Sequence, residues 1–289
     1  MKEHGSLNPI RIVTDSTCDL PPEIIDKYQI TVVPIYVNLG EKSYQDGIDL
    51  DRKEFYASLE KMRTMPSTAS PSIESFTNAF TRLLNKGAEA ILSIHLSSAI
   101  GGVFDVASLA ANSIKQGIIR TFDAGQISLG TGFIVATAAK MAQAGKSLQE
   151  IITRLQDVAE RTYTFAIVDN LKFLQHSGRI SQFKTMLGSL LKVKPVLRFH
   201  KGIVSIKIMR TTRNAVENLL STIKAMGQLE TLSVLHINAP EKAEQLRTAL
   251  LDEFPGLSLT NPVDVNPAVG SHIGPGAVGI AAIFTSAQK

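Results

Sequence analysis

The sequence predicts an α/β protein of two domains: an N-terminal parallel-sheet α/β domain over residues 1–161 and a C-terminal mixed-sheet α+β domain over residues 162–289. Three observations predict it. Short apolar, partly β-branched runs alternate with helical periodicity through the first half, which opens as a β–α–β unit and so implies parallel strands. Around Lys201-Gly202 two apolar runs are separated by two turn residues, the signature of an antiparallel hairpin. The chain has 289 residues, 44% apolar and 19% charged, enough to bury a substantial core in two domains or one large one.

The elements follow in order. Ile10–Thr14 reads as a strand, Asp15–Asp19 as a turn and Leu20–Tyr28 as a short helix with proline in its first turn. Thr31–Val37 is the next strand. Tyr44–Asp51 reads as a loop before a helix over about Arg52–Met62. In Pro66–Ser72, Ser70 is the expected N-cap and Pro71 the first helical residue of a helix reaching about Lys86. Ala90–Ile94 is a buried strand, followed by the Ser97–Gly102 loop and an Ala-rich helix. Ile118–Phe122 is a strand, and Gln126–Gly132 leads into the helix Phe133–Ala144, ended by Gly145. A further helix spans about Leu148–Arg161. The second half reads as strand Tyr163–Val168, a short helix from Leu171, the polar loop Gln175–Ser181 and the hairpin that ends at Met209. Helices at about Thr212–Met226 and Pro240–Phe254 surround the strand Thr231–Ile237. The chain closes with Asn261–Val265, a loop Pro267–Gly276 and the strand Val278–Phe284.

One cysteine, Cys18, forbids an intrachain disulfide. Met1–Asn8 is polar, without the apolar core of a signal peptide, and no apolar run approaches a membrane span, so a reducing, cytoplasmic setting is expected. The net charge of +4 is unevenly spread: residues 1–165 sum to −2 and residues 166–289 to +6. Asn170–Val216 holds ten basic residues and no acid, Arg179 and Arg210 among them. Such a stretch fits an anionic ligand or acidic partner, or a solvated basic face.

Three hydroxyl-rich helix starts stand out: Thr68–Ser72, Ser97–Gly102 and Gln126–Gly132. Backbone N–H groups at a helix start carry partial positive charge and hold anions. Loops of this kind gather at the carboxyl ends of parallel strands, where ligands sit; serine and glycine are equally the residues of an ordinary turn. His272, in Gly270-Ser271-His272-Ile273-Gly274, can donate to a carboxylate where glycines allow close approach, or simply sit in a tight turn. Arg179 grips a phosphate or stands solvated in its loop. Other motifs fail. Gly274–Gly279 matches G-x-G-x-x-G, but a strand-like run follows where the dinucleotide fingerprint needs a helix. Neither a Walker A sequence nor G-x-S-x-G occurs, and the histidines show no metal spacing. Cys18 precedes Asp19, which disfavours a thiolate. The basic stretch lacks interleaved aromatics and a nucleic-acid reader motif.

Taken together, Thr14–Pro21, Thr68-Ala69-Ser70-Pro71-Ser72, Ser97–Gly102, Gly178-Arg179-Ile180-Ser181, Lys194-Pro195 and His272-Ile273-Gly274-Pro275-Gly276 resemble, in order, the motifs of the DegV family. These are fatty-acid-binding proteins that serve bacterial fatty-acid kinases. The resemblance implies a long-chain fatty acid in a buried tunnel, its carboxylate held between the domains by Thr68, Ser97, Ser98 and Ser128, with His272 and Gly274 near the head group. Arg179 and Arg210 would face the kinase or the acyl phosphate. It implies a carrier without its own catalysis, cofactor or metal, partnered by the fatty acid, the kinase and a transient membrane surface, with no nucleic acid and the chain a monomer. The competing expectation is an enzyme or regulator of a small anionic metabolite in the same cleft. Departures from the family motifs are Ala69, Gly101, Val103 and Val106, which remove hydroxyls. Burying about 14 to 17 methylenes at about 0.8 kcal/mol each supplies on the order of 11–14 kcal/mol before binding costs.

Overall fold

The computed structural model describes residues 9–59, 61, 62, 64–178 and 193–287. Its first sheet is fully parallel, with strand order β2-β1-β6-β7: β1 (Ile10–Asp15), β2 (Thr31–Val33), β6 (Ala90–His95) and β7 (Ile118–Asp123). All six residues of β6 are buried, because helices cover both faces of the sheet. α3 (Ile73–Asn85) and α4 (Val103–Ser113) meet the central strand, as does α5 (Leu129–Gln143). A strand buried on both faces reads as a continuous apolar run, which is how the sequence shows it. α6 (Leu148–Arg161) then leads to the second sheet. It starts with a full capping box between Ser147 and Glu150, which satisfies two end donors at once.

The second sheet is mixed, in the order β10-β9-β8-β13-β11-β12. Its strands are β8 (Thr162–Ile167), β9 (Lys194–His200), β10 (Ile203–Met209), β11 (Leu229–His236), β12 (Val263–Asp264) and β13 (Val278–Phe284). All pairs are antiparallel except β11 with β12. Alternate side chains feed two cores, as the two-residue period of a strand requires. On one face Phe165, Val234 and Ile280 pack under α8 (Thr212–Met226) and α9 (Pro240–Glu253). On the other, Leu197, Phe199, Leu235 and Ala281 join the core of the first half. The two sheets therefore share apolar packing, and all sheet strands after Arg161 belong to the second one.

Four sequence expectations change. Thr31–Val37 is not one strand: Pro34, without an N–H, ends β2, and β3 (Tyr36–Leu39) turns into a separate three-stranded antiparallel sheet with β4 (Lys42–Gln45) and β5 (Ser67–Ala69). The overlooked signal was Gly40-Glu41 between Leu39 and Lys42, a two-residue hairpin loop with Gly40 at φ 63°. Ser72, not Ser70, caps α3, its Oγ accepting from Ser75 N–H at 3.1 Å. α5 starts at Leu129, four residues before the expected Phe133. The segment Pro267–Gly276 is not a loop but carries α10 (Pro267–Ile273), with Pro267 in its first turn and Asn266 as N-cap. Three short α-helices complete the described residues: α1 (Pro22–Lys27), α2 (Arg52–Leu59) and α7 (Leu171–Ser177).

Candidate functional site

The loops at the carboxyl ends of β1, β6 and β7 meet α10 and β9 around a cavity of about 100 Å3. Its polar wall is Thr17, Thr68, Ser70, Ser177 and His272, with Gly101 and Gly102 alongside. The remaining wall is largely apolar, Leu96, Ile100, Val103 and Leu174 included. Four residues, Ile127, Phe199, Val269 and Ile273, also line an adjoining cavity of about 40 Å3 that runs under the second sheet toward Leu235 and Ala277. Two cavities that share an apolar wall, the first with a polar end, thus lie between the two halves of the chain, a setting suited to an amphiphile.

At the polar end Thr68 Oγ1 and His272 Nε2 are 2.9 Å apart, although 204 residues separate them. Strand pairing fixes the threonine: β5 lies against β3, with Thr68 opposite Val37. The histidine is delivered by α10, whose last turn stands beside β5. Each group is able to donate a hydrogen bond to an anion, which a carboxylate entering an apolar wall requires.

The other expected residues fall elsewhere. Ser97 is buried and accepts from Ala99 N–H at 3.3 Å, while its own N–H donates to Gln126 C=O. Ser98 is exposed; its hydroxyl donates to Asp123 at 2.6 Å, as does its N–H at 3.2 Å. Both serines fasten their loop to the end of β7, and its cavity-lining residues are Ile100, Gly101 and Gly102. Gly102 is the N-cap of α4 and supplies no side-chain cap. Ser128 lines the second cavity and donates to Asp19 at 2.6 Å. Gly274 serves packing: its φ is +92°, and a Cβ there would lie 2.4 Å from the Phe173 ring. Arg179 lies outside the described residues, and Arg210 is exposed just past β10. The basic stretch is in part neutralised, since Lys194 and Lys242 flank Asp169, Lys201 meets Glu160 and Arg213 meets Glu217.

Sequence reasoning missed the group beneath the site. Asp15 accepts from the N–H and hydroxyl of Thr17, from His95 Nδ1 at 2.9 Å and from Leu96 N–H, and so shapes two of the cavity's loops. His95 Nε2 is 2.7 Å from Ser93 Oγ. Ser93, His95 and Asp15 have the composition of a nucleophile–base–acid set, but each is 0% exposed and lines neither cavity. They tie strands together. Asp19 is likewise buried; burial pushes its carboxyl up to about 7, with Arg52, Ser128 and Asn266 pulling the other way. The motif containing both aspartates was visible in the sequence, but their roles depend on Asn266 and His95, which are distant along the chain. Burial raises the Cys18 thiol, in keeping with an inert side chain. Among the described residues, groups of three or more His, Cys, Asp or Glu placed to hold a metal do not occur, and helices long and apolar enough to cross a membrane do not occur either.

Residues 9–285 match the family described as "Uncharacterised protein, DegV family". A DegV domain-containing protein of Streptomyces coelicolor is 33% identical over 274 residues, covering 94% of this chain and 97% of its own. A DegV family protein of Thermus thermophilus, described for its fatty-acid binding, superposes with a TM-score of 0.87 at 29% identity, over 95% of this chain and 99% of that one. DegV of Bacillus subtilis, described as a fatty acid binding protein, gives 0.85 at 32% identity over 96% and 99%. The parallel first sheet, the mixed second sheet and the sequence match agree, and the chain belongs to the DegV family.

Proposed function

We propose that this protein binds a long-chain fatty acid, with the carboxylate at Thr68 and His272 and the acyl chain running past Ile127, Phe199, Val269 and Ile273 into the second cavity. The observation that carries the reading is the pairing of a Thr–His donor set, 2.9 Å apart, with an otherwise apolar path leading away from it. Fatty-acid binding by the solved relatives supports it. The protein acts in this reading as a cytoplasmic, monomeric carrier without catalysis or a cofactor of its own. It offers the carboxylate to a separate fatty-acid kinase, carries the acyl phosphate away and meets the membrane surface in passing. Arg179 and Arg210 face that kinase, and Ser97 and Ser98 act by holding the Gly101-Gly102 loop against β7.

Titration with palmitate tests the reading. Wild-type protein is expected to bind it, and Thr68→Val to weaken binding roughly tenfold or more, the worth of a hydrogen bond to a charged group. Unchanged affinity in Thr68→Val would place the head group elsewhere.

A further inference from the structure

Asp19 occupies a position the head-group chemistry does not itself require, yet many restraints converge on it. Its side chain is 0% exposed. Oδ1 accepts from the backbone N–H of Asn266 at 2.9 Å and from Asn266 Nδ2 at 3.0 Å. Oδ2 accepts from Asn266 Nδ2 at 3.0 Å and from the Ser128 hydroxyl at 2.6 Å. Asn266 is the N-cap of α10, its own Oδ1 accepting from Val269 N–H at 2.9 Å. α10 is only seven residues long and carries Val269, His272 and Ile273 into the cavity. Where its first turn sits therefore decides where His272 stands relative to Thr68.

Backbone strain marks the same place. Asp19 has φ +51° and Ser128 has φ +54° with ψ −141°, the latter a conformation that a non-glycine residue adopts only at a cost in strain. Although Ser128 is the N-cap of α5, its side chain makes no cap hydrogen bond there and turns to Asp19 instead. Such strain persists where the surroundings over-determine it.

We propose that Asp19 is the positioning residue of the head-group site: through Asn266 its carboxylate fixes α10, and with it the placement of His272 against Thr68, and protonation of that carboxylate loosens the hold. This rests on the fatty-acid reading for its ligand, but not for its geometry. Every donor around the carboxylate points at it, so an added proton must displace one of them and turn charge-assisted bonds into weaker neutral ones. The charged and titratable groups facing Asp19 are Arg52, 3.9 Å away on α2, Tyr56 on the same helix, Asp46 beyond β4, and Cys18 beside it. Asp264 reaches the cluster through its carbonyl, which accepts from Arg52 at 2.8 Å. Arg52 favours the anion, while burial and Asp46 oppose it, leaving the carboxyl at about 7.

Two measurements on the full chain test this: affinity for radiolabelled palmitate, and the imidazole NMR signals of His272 without ligand, identified by difference from His272→Gln. Wild-type affinity is expected to fall roughly tenfold from one pH unit above about 7 to one unit below. The His272 signals should shift through the same inflection, in step with the Asp19 carboxyl carbon. Asp19→Asn, which tolerates the same backbone, should bind more weakly at both pH values, without the step and with displaced His272 signals. A variant with wild-type affinity, step and His272 signals would overturn the proposal. If Asp19→Asn does not fold, the wild-type titration decides alone, and His272 signals with no inflection at the Asp19 transition overturn it. Absence of palmitate binding by wild-type protein would instead refute the fatty-acid reading, while the ligand-free His272 measurement still judges the role of Asp19.

Discussion

A carboxylate leaving water loses several kcal/mol of solvation that only aimed donors restore. In the proposed reading Thr68 and His272, 2.9 Å apart, are those donors, and Gly101 in the same cavity wall stands where the motif it resembles has a serine. A Cβ at Gly101 would meet Leu96 Cδ1 at 3.4 Å, an ordinary contact, and its backbone needs no left-handed φ. Gly101→Ser is therefore expected to fold normally and to add a donor, raising palmitate affinity about twofold to tenfold in equilibrium binding. A loss of affinity with unchanged stability would show that the carboxylate does not reach this loop. Ala69 and Val103 are the other departures at the cavity; Val103 is 2% exposed, and both extend the apolar wall.

The path for the tail belongs to elements rather than to single residues. β9 supplies Phe199, α10 supplies Val269 and Ile273, and the loop before α5 supplies Ile127, the four residues common to both cavities. Narrowing this passage should select by chain length. Val269→Phe is expected to reduce palmitate binding at least tenfold while sparing dodecanoate, since blocking a few methylenes forfeits about 0.8 kcal/mol for each. Equal loss for both acids would mean that the tail takes another route. Elements governed by local rules were legible in the sequence: the βαβ opening, the Lys201-Gly202 hairpin, the spans of α6, α8 and α9, and the wholly apolar β13. Those set by distant contacts were not. α10 looked like a loop because glycines at 270 and 274 obscure its seven residues, yet Gly274 is required against Phe173. Ser97 and Ser98 read as ligand donors because the sequence does not reveal Asp123 and Gln126 as their partners. His272 was picked out, but it comes to Thr68 on α10, whose N-cap Asn266 is held by Asp19, 247 residues away along the chain.

Across the whole molecule the two halves are joined by polar ties as well as by the shared core. Arg161, 5% exposed at the end of α6, meets Asp157, Glu230 and the carbonyl of Phe284, linking both sides of the halfway point. Asp19 does the same near the site, with an opposite dependence on pH from an ordinary acid. Its folded pKa of about 7 exceeds the reference value of 3.8. The folded state therefore binds the proton more tightly than the unfolded chain, so the stability from Asp19 is full below about 3.8 and lost as pH rises through about 7. Each tenfold difference in proton affinity between the folded and unfolded chain is worth on the order of 1.4 kcal/mol. Neutralising a buried charge thus favours the fold as a whole, even as the neutral acid holds Asn266 less tightly. Urea unfolding of wild-type protein should show the decline between those limits, and Asp19→Asn should flatten it. Superimposable pH profiles for the two proteins would contradict a buried, titrating Asp19.

In the proposed reading the apolar cavities between the halves hold a fatty acid. Mass spectrometry of lipids extracted from the purified protein, after expression in a bacterium that makes long-chain fatty acids, tests it most directly. About one fatty acid per chain is expected from wild-type protein and markedly less from Thr68→Val, in line with the weakening expected for a lost charged hydrogen bond. A well-folded wild-type protein that yields only trace, non-stoichiometric fatty acid would contradict it.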